Sequence, residues 1–211
     1  MLTFGDISQM SPFDYMEVNM IRLITFAGVG ALGSTCLQFL RNEEANFRII
    51  DFDRVEQKNI LSQFHGKASV GKNKAQSMQQ TMKFLYGLKL EGLPRKIQEN
   101  NVKALLKGSD LVIDCLDNLE ARTLIQDYVR DNDIPCVHGA LAADGAFGRV
   151  IWDEQFVIDP EAGEGGATCE DGEHLAFIGI VSTYLARSVH EFLETQKKFG
   201  YQINPTGAIR V

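Results

Sequence analysis

The sequence predicts an α/β protein built on a doubly wound, mostly parallel sheet, and three observations carry that reading. Short apolar runs alternate with stretches of helical period through most of the chain. A glycine turn, Gly28-x-Gly30-x-x-Gly33, joins the first apolar run to the first helical stretch. After residue 140 the rhythm changes to strands joined by turns, which predicts an antiparallel extension of the same sheet.

The strand-like runs are 21–27, 47–51 (FRIID), 110–115 (DLVIDC) and 134–140 (IPCVHGA), with helical patterns at about 31–41, 72–86, 99–107 and 118–131. Buried strands separated by helices point to parallel pairing, because each parallel connection needs a crossover long enough to hold a helix. GAFGRVIW at 145–152 and QFVID at 155–159 predict two more strands. Residues 159–174, DPEAGEGGATCEDGEH, combine glycines and six acidic side chains with almost no bulk, which predicts a mobile loop. A long amphipathic helix follows from about His174 to Lys198, with Phe177, Ile178, Val181, Leu185, Val189 and Phe192 on one stripe. Lys197, Lys198 and Gly200 suit its C-terminal end. Residues 1–19 carry no readable pattern.

A length of 211 residues with 45% hydrophobic content suits one domain over 1–211. The formal net charge of −7 argues against a nucleic-acid partner or an anionic membrane surface, both of which repel an acidic protein. The four cysteines, Cys36, Cys115, Cys136 and Cys169, form no C-x-x-C pair and predict a reduced, cytoplasmic protein. The first residues lack the features of a signal peptide, and no apolar run approaches the length of a membrane span.

The glycine turn sets the chemistry. One glycine permits the tight turn, one lets backbone approach an anion, and one allows the helix to pack closely on the strand. The helix N-terminus then offers unpaired N–H groups and partial positive charge to phosphate. Asp51 ends the second strand and is placed to accept from ribose hydroxyls; Asp53 follows it across Phe52. Taken alone, this points to a dinucleotide site, with ATP as the minority reading. The residues that follow shift the balance. A polar loop brings Asn59 and Gln63 back toward the crevice, and Gly71 and Lys74 open the next helix. A lysine in a first helical turn opposes the helix dipole, which a nearby triphosphate would explain. Asp114 and Asp117 end a buried strand, and Asn118 can cap the helix after it. A carboxylate at that strand end suits Mg²⁺, which prefers carboxylates, phosphate oxygens and water.

Four ordered blocks, the glycine loop, Asp51-x-Asp53 with Asn59-Ile60-Leu61-Ser62-Gln63, Gly71-x-x-Lys74 and Asp114-Cys115-x-Asp117-Asn118, resemble the ThiF/MoeB/HesA family, bacterial relatives of ubiquitin-activating enzymes, in a short form without the zinc cysteines. The blocks span residues 21 to about 140. The resemblance implies a nucleotide-binding core at 20–140, and it implies adenylation. In that reaction the C-terminal carboxylate of a small ubiquitin-like or sulfur-carrier protein ending in glycine attacks the α-phosphate of ATP, giving an acyl-adenylate and pyrophosphate. It assigns Gly28, Gly30, Gly33, Asp51, Asp53, Asn59, Gln63, Lys74 and Asn118 to ATP, Lys74 and Asp117 to catalysis, and Asp117 to Mg²⁺. It also implies a homodimer and no zinc. Cys169, in a loop where some members carry a thioester-forming cysteine, is the candidate for that role.

The sequence departs from the family at two places. Ser62 stands where the family has an arginine, and no arginine precedes Arg22. Arginine–phosphate contacts are strong and bidentate, so Arg22, Arg54 and Arg149 become candidates to replace it. Two other functions compete with adenylation: a catalytically impaired relative that binds a nucleotide or partner, and an NAD-dependent oxidoreductase resting on the glycine loop alone.

Overall fold

The computed structural model describes residues 21–142, 144–158 and 172–211. Eight strands, β1 (Leu23–Ala27), β2 (Asn46–Ile50), β3 (Glu91–Leu93), β4 (Leu111–Asp114), β5 (Cys136–Leu141), β6 (Gly148–Trp152), β7 (Tyr201–Asn204) and β8 (Gly207–Arg210), form one sheet. Their order is β3-β2-β1-β4-β5-β6-β7-β8. The first five in that order pair in parallel, and β6, β7 and β8 continue antiparallel. The helices are α1 (Ala31–Phe39), α2 (Lys74–Tyr86), α3 (Val102–Leu106), α4 (Leu119–Asp131) and α5 (Leu175–Thr195). The predicted class, a mostly parallel sheet with an antiparallel C-terminal extension and a long C-terminal helix, is what the chain adopts.

Successive strand residues point to opposite faces, and the core divides accordingly. Ile24, Phe26, Ile49, Ile113 and Val137 pack with Leu37 of α1, Met78 and Met82 of α2, and Leu185 and Val189 of α5. Ala27, Ile50, Val112 and Cys136 pack on the other face with Leu106 of α3 and with Ile125 and Val129 of α4. Because both faces are covered, the parallel strands read as unbroken apolar runs rather than as an alternation. From β1 the chain winds outward one way to β2 and β3, then returns to the other side for β4 and β5. The reversal lies between β1 and β4, and their C-terminal ends open the crevice where such sheets take ligands.

Four expectations need correction. Of the stretch 155–159, the described residues 155–158 form no strand: Asp153–Gln155 is a 3-10 turn, because the Asp153 carboxylate turns inward to buried partners and Phe156 follows it, and Asp159 lies outside the described residues. The stretch 145–152 is strand only from Gly148, since a tight turn closed by Ala142 N–H to Phe147 carbonyl precedes it. The 99–107 helix shortens to Val102–Leu106. The final helix stops at Thr195, where Gln196 adopts φ +59°, before the lysines that were expected to end it. The sequence reading also passed over three strands. In β3, a Cβ on Gly92 would stand 2.9 Å from the Ala75 carbonyl, so only glycine lets this short edge strand lie against α2. β7 and β8 form a hairpin whose turn is closed by the Asn204 side chain accepting from Thr206 N–H and Gly207 N–H.

Candidate active site

The glycine loop is shaped by contacts that admit no side chains at two of its positions. Gly28 sits at φ +88°, and its N–H donates to the Ile50 carbonyl at 2.9 Å, tying β1 to the end of β2. A Cβ on Gly33 would stand 2.1 Å from the Gly28 carbonyl oxygen, so the first turn of α1 lies directly on the loop. Gly30 differs: the nearest atom to its would-be Cβ is Gln63 Nε2, at 4.0 Å. It is the N-cap of α1, no side chain caps the helix there, and no acid stands in the first turn. The N–H groups of that turn therefore have no side-chain cap, with the positive end of the helix dipole behind them, as a phosphate requires.

The end of β2 clasps this loop. Asp51 is buried; its Oδ2 accepts from Val29 N–H and its Oδ1 from Asp53 N–H, each at 2.9 Å. Burial pushes its carboxyl above the usual carboxylate range, against the opposing pull of Lys74 and those two N–H groups. Oδ2 thus holds the glycine loop in shape, and Oδ1 the turn that carries Asp53. Lys74 is buried in the first turn of α2 with its Nζ 3.1 Å from Asp53 Oδ2, and Asp53 is about half exposed. Asn73, which sequence reasoning passed over, caps α2 by accepting from Gln76 N–H and donates to the carbonyls of both Asp51 and Asp53. An asparagine directly before a helical stretch is an N-cap signal and could have been read as one.

Asn59 is buried with its Oδ1 accepting from Glu56 N–H, in a reciprocal capping arrangement on a 3-10 turn. Next to it lie three buried polar atoms without hydrogen-bond partners among the described residues: Ser62 Oγ, Gln63 Oε1 and His65 Nδ1. His65 Nε2 lies 3.0 Å from the Val29 carbonyl, which can only accept, so Nε2 carries the proton and Nδ1 is a bare acceptor. Burial holds the His65 imidazole neutral, with its pKa lowered to about 4. Of the arginine candidates, Arg54 donates to the Gly71 carbonyl. Arg149 lies opposite Ala140 in the β5–β6 pairing, at the crevice end of β5, with its Nε buried and unpartnered.

At the end of β4, Asn118 caps α4 by accepting from Ala121 N–H, and Asp117 is exposed with its carboxylate unbonded among the described residues. Below them lies a sealed ionic chain. Asp114, fully buried, accepts from Arg122 Nε and from His138 Nδ1, both at 2.8 Å. His138 reaches Asp153 Oδ1 through Nε2 at 3.1 Å, and Asp153 is clamped by Arg130 and Gln126. Phe156 stacks on the His138 ring at 3.9 Å. Burial alone would discharge the imidazole, but Cys136 and the two carboxylates raise its pKa to about 11, so it stays an imidazolium. Sequence reasoning placed Asp114 at this strand end but gave no role to His138 or Asp153, whose ionic partners lie 15 or more residues away. Cys36 and Cys136 are buried and Cys115 is partly buried, and burial raises the thiol pKa values of Cys36 and Cys136. Cys169, the acidic loop around it and the N-terminal segment lie outside the described residues. Among the described residues no helix is long and apolar enough to cross a membrane.

The residues present fit ATP: an uncapped helix N-terminus, open space over Gly30 and a buried lysine at one crevice. For Mg²⁺ the described residues offer Asp117 but no group of three or more candidate ligands, so water and phosphate oxygens would complete the sphere.

The chain is 33% identical over 124 residues to the SAMP-activating enzyme E1 of Haloferax volcanii, a match covering 56% of this chain and 45% of that protein. It is 25% identical over 190 residues to the molybdopterin-synthase adenylyltransferase of Escherichia coli, covering 86% and 76%. The chain thus spans under half of the first relative and about three quarters of the second. Among solved structures, E. coli MccB with MccA-N7isoASN matches with TM-score 0.74 at 12% identity, over 93% of this chain and 65% of that one. PaaA matches with TM-score 0.70 at 17% identity, over 98% and 68%. Residues 22–200 match the ThiF family model, and the chain belongs to the ThiF family.

Proposed function

We propose that the chain is an ATP- and Mg²⁺-dependent adenylyltransferase that activates the C-terminal carboxylate of a small ubiquitin-like or sulfur-carrier protein. The observation that carries this reading is the uncapped N-terminus of α1 at Gly30, on a loop that Asp51 clasps through Val29 N–H while buried Lys74 acts electrostatically on the same Asp51. Such a pairing of helix dipole and ammonium serves a polyphosphate. Two relatives, a SAMP-activating enzyme and a molybdopterin-synthase adenylyltransferase, support the same chemistry.

In the reaction a carboxylate oxygen forms a bond to the α-phosphorus, the bond to the β-phosphate oxygen breaks, and pyrophosphate leaves with the electron pair. The protein's part is positioning and charge neutralisation. Gly28, Gly30 and Gly33 give phosphate oxygens access to backbone N–H groups. Asp51 holds that loop in shape from below, with Asp53 and Asn73 fixing its distance from Lys74. Asn59 and Gln63 border the phosphate side, Gln63 with a free acceptor. Asp117 would hold Mg²⁺, which supplies charge neutralisation at the phosphates. A cytoplasmic homodimer, and a thioester role for Cys169, belong to the same proposal.

ATP–pyrophosphate exchange driven by candidate carrier proteins, together with thermal stabilisation by ATP and Mg²⁺, tests it. A ligand at about 100 times its Kd adds roughly 2.7 kcal/mol to stability. Stabilisation by ATP that is lost in Asp117→Ala, accompanied by exchange, is the expected result; stabilisation by NAD⁺ alone would sink the proposal. A second reading, a relative that binds nucleotide or partner without turnover, is favoured by Ser62: at the position of the family's arginine stands a buried hydroxyl with no partner. Nucleotide stabilisation with no exchange for any carrier would select it.

A further inference from the structure

Three buried polar groups beside the glycine loop share one property. Ser62 is 1% exposed and His65 5%, and Ser62 Oγ, Gln63 Oε1 and His65 Nδ1 have no hydrogen-bond partner among the described residues. A buried polar group without a partner is disfavoured and marks a place where one is wanted. Each of the three can present a donor: the serine hydroxyl by rotation, the glutamine amide by turning over, the imidazole by taking up a proton. Only His65 would bring a charge with it.

The segment that carries them is stitched to the loop. Phe64 N–H donates to Ser34 Oγ of α1 at 2.9 Å, and His65 N–H to the Gln63 carbonyl at 2.7 Å. His65 Nε2 donates to the Val29 carbonyl at 3.0 Å, between Gly28 and Gly30. The ring cannot turn over without losing that bond, so its free nitrogen stays Nδ1. Gln63 and His65, on either side of Phe64, both reach the turn that starts α1.

The crevice is short of positive charge. The glycine loop and the first turn of α1 carry no charged residue. Asp51 and Asp53 stand at the end of β2, and Lys74 of α2 pairs with Asp53 and acts on Asp51. Arg54 is turned to the Gly71 carbonyl, and Arg149 stands on β6, three strands from β1. On the His65 segment itself Lys67 is exposed, and so is exposed Lys58, which pairs with Glu56. Glu173, also exposed, follows Gly172 where that glycine lies against Leu61. A triphosphate would thus meet one buried lysine shared between two carboxylates.

Empty, His65 is neutral. Burial lowers its pKa to about 4, and the Lys74 ammonium pushes the same way against the Val29 carbonyl. Lys74 and His65 therefore lie in one field, and an anion set between them reverses its sign.

We propose that His65 takes up a proton from solvent when a polyphosphate enters the glycine-loop crevice, so that Nδ1–H becomes a charge-assisted donor and the imidazolium a second cation beside Lys74. This coupling rests on the adenylation reading and goes beyond it, since it makes ATP affinity depend on pH through a residue not assigned to the nucleotide. Linkage fixes the sign: the bound state holds the proton more tightly, so affinity rises as pH falls.

ATP with Mg²⁺ is titrated calorimetrically into the full chain and into His65→Gln, in two buffers of different ionisation enthalpy, between about pH 5.5 and 7.5. Glutamine keeps a donor for the Val29 carbonyl and does not titrate, and the nucleotide's own titration is common to both proteins. At pH 6 the wild type should take up at least about half a proton more per nucleotide than the variant. Its affinity relative to the variant should rise at least about threefold from pH 7.5 to 5.5. Imidazole ¹⁵N spectra of the wild type read the same event without a variant: the His65 Nδ1 signal moves to the protonated position on adding ATP. Equal proton uptake, a constant affinity ratio, or an Nδ1 that stays bare with ATP bound would overturn the coupling and leave the adenylation reading standing. Absence of ATP binding to the wild type at any of these pH values would overturn both.

Discussion

Two polar regions sit at the C-terminal ends of neighbouring strands and treat their charges in opposite ways. Around the glycine loop, polar groups are left with something to do among the described residues: uncapped N–H groups at the start of α1, bare acceptors on Gln63 and His65, and an unbonded carboxylate on Asp117. Beneath the end of β4 and β5, every charge is spoken for. Asp114, His138 and Asp153 form a chain, and Arg122 and Arg130 close its two ends. The more strongly perturbed pKa, that of His138, therefore belongs to the brace, while the candidate site is marked by unsatisfied groups. Asp114 Oδ1 accepts from Leu116 N–H and so fixes the turn that carries Asp117. The brace positions the site without facing it.

Breaking the brace is expected to give the largest effect on stability. Asp114→Asn leaves Arg122 and His138 buried beside a neutral amide, and removing one partner of a buried ionic pair costs about 3–5 kcal/mol. Chemical denaturation measures this directly. A loss below about 1 kcal/mol would mean that the two cations find water or new partners, and the contrast between the regions would collapse.

The brace also predicts a pH dependence. The His138 pKa is raised in the folded state to about 11 from an ordinary 6.5. The folded protein therefore binds more protons than the unfolded chain between those values, and stability falls as pH rises. The contribution is complete below about pH 6.5 and is lost through pH 11, with a slope of at most about 1.4 kcal/mol per pH unit. Urea midpoints between pH 7 and 9.5 should fall in the wild type and stay flatter in His138→Gln. Equal slopes would assign the trend to other groups.

On the ligand side the expectation reverses. Lys74→Met removes an ammonium whose partner Asp53 is half exposed, so stability changes by under about 1 kcal/mol. ATP affinity should drop by about tenfold or more, because a charge-assisted phosphate contact is lost. Calorimetric titration beside a melt separates the two quantities. A large loss of stability with unchanged affinity would move Lys74 into the brace.

The same division explains what the sequence disclosed. β1, α1, β2, α2, β4, α4 and β5 were legible because local pattern and burial agree there: apolar runs such as Leu111–Ile113, caps such as Asn118, and the steric demand for Gly28 and Gly33. The candidate crevice was legible because its residues come in short blocks at strand ends. The brace was not, since His138 meets Asp114 and Asp153 only after β4 and β5 pair. Residues 155–159 misled for a related reason: Phe156 and Val157 look like strand residues, yet Phe156 stacks on a buried imidazolium. β3 and the β7–β8 hairpin are strands of three or four residues each, too short for an alternation to stand out.

The smallest expected effect tests a residue that stands between the two regions. Asn118 is assigned to the nucleotide by resemblance, yet its Oδ1 is already taken by Ala121 N–H as the cap of α4. If capping is its whole role, Asn118→Ala costs about 1 kcal/mol without ligand and Asn118→Asp costs almost nothing, since aspartate caps equally well. The stabilisation added by ATP and Mg²⁺ would then be the same in all three proteins. If the Asn118 amide also donates to the nucleotide, Asn118→Asp loses that donor and sets a carboxylate near phosphate. It would then melt like the wild type when empty but gain less from ATP. The aspartate variant therefore separates a helix cap from a ligand contact at one position, which the alanine variant alone does not.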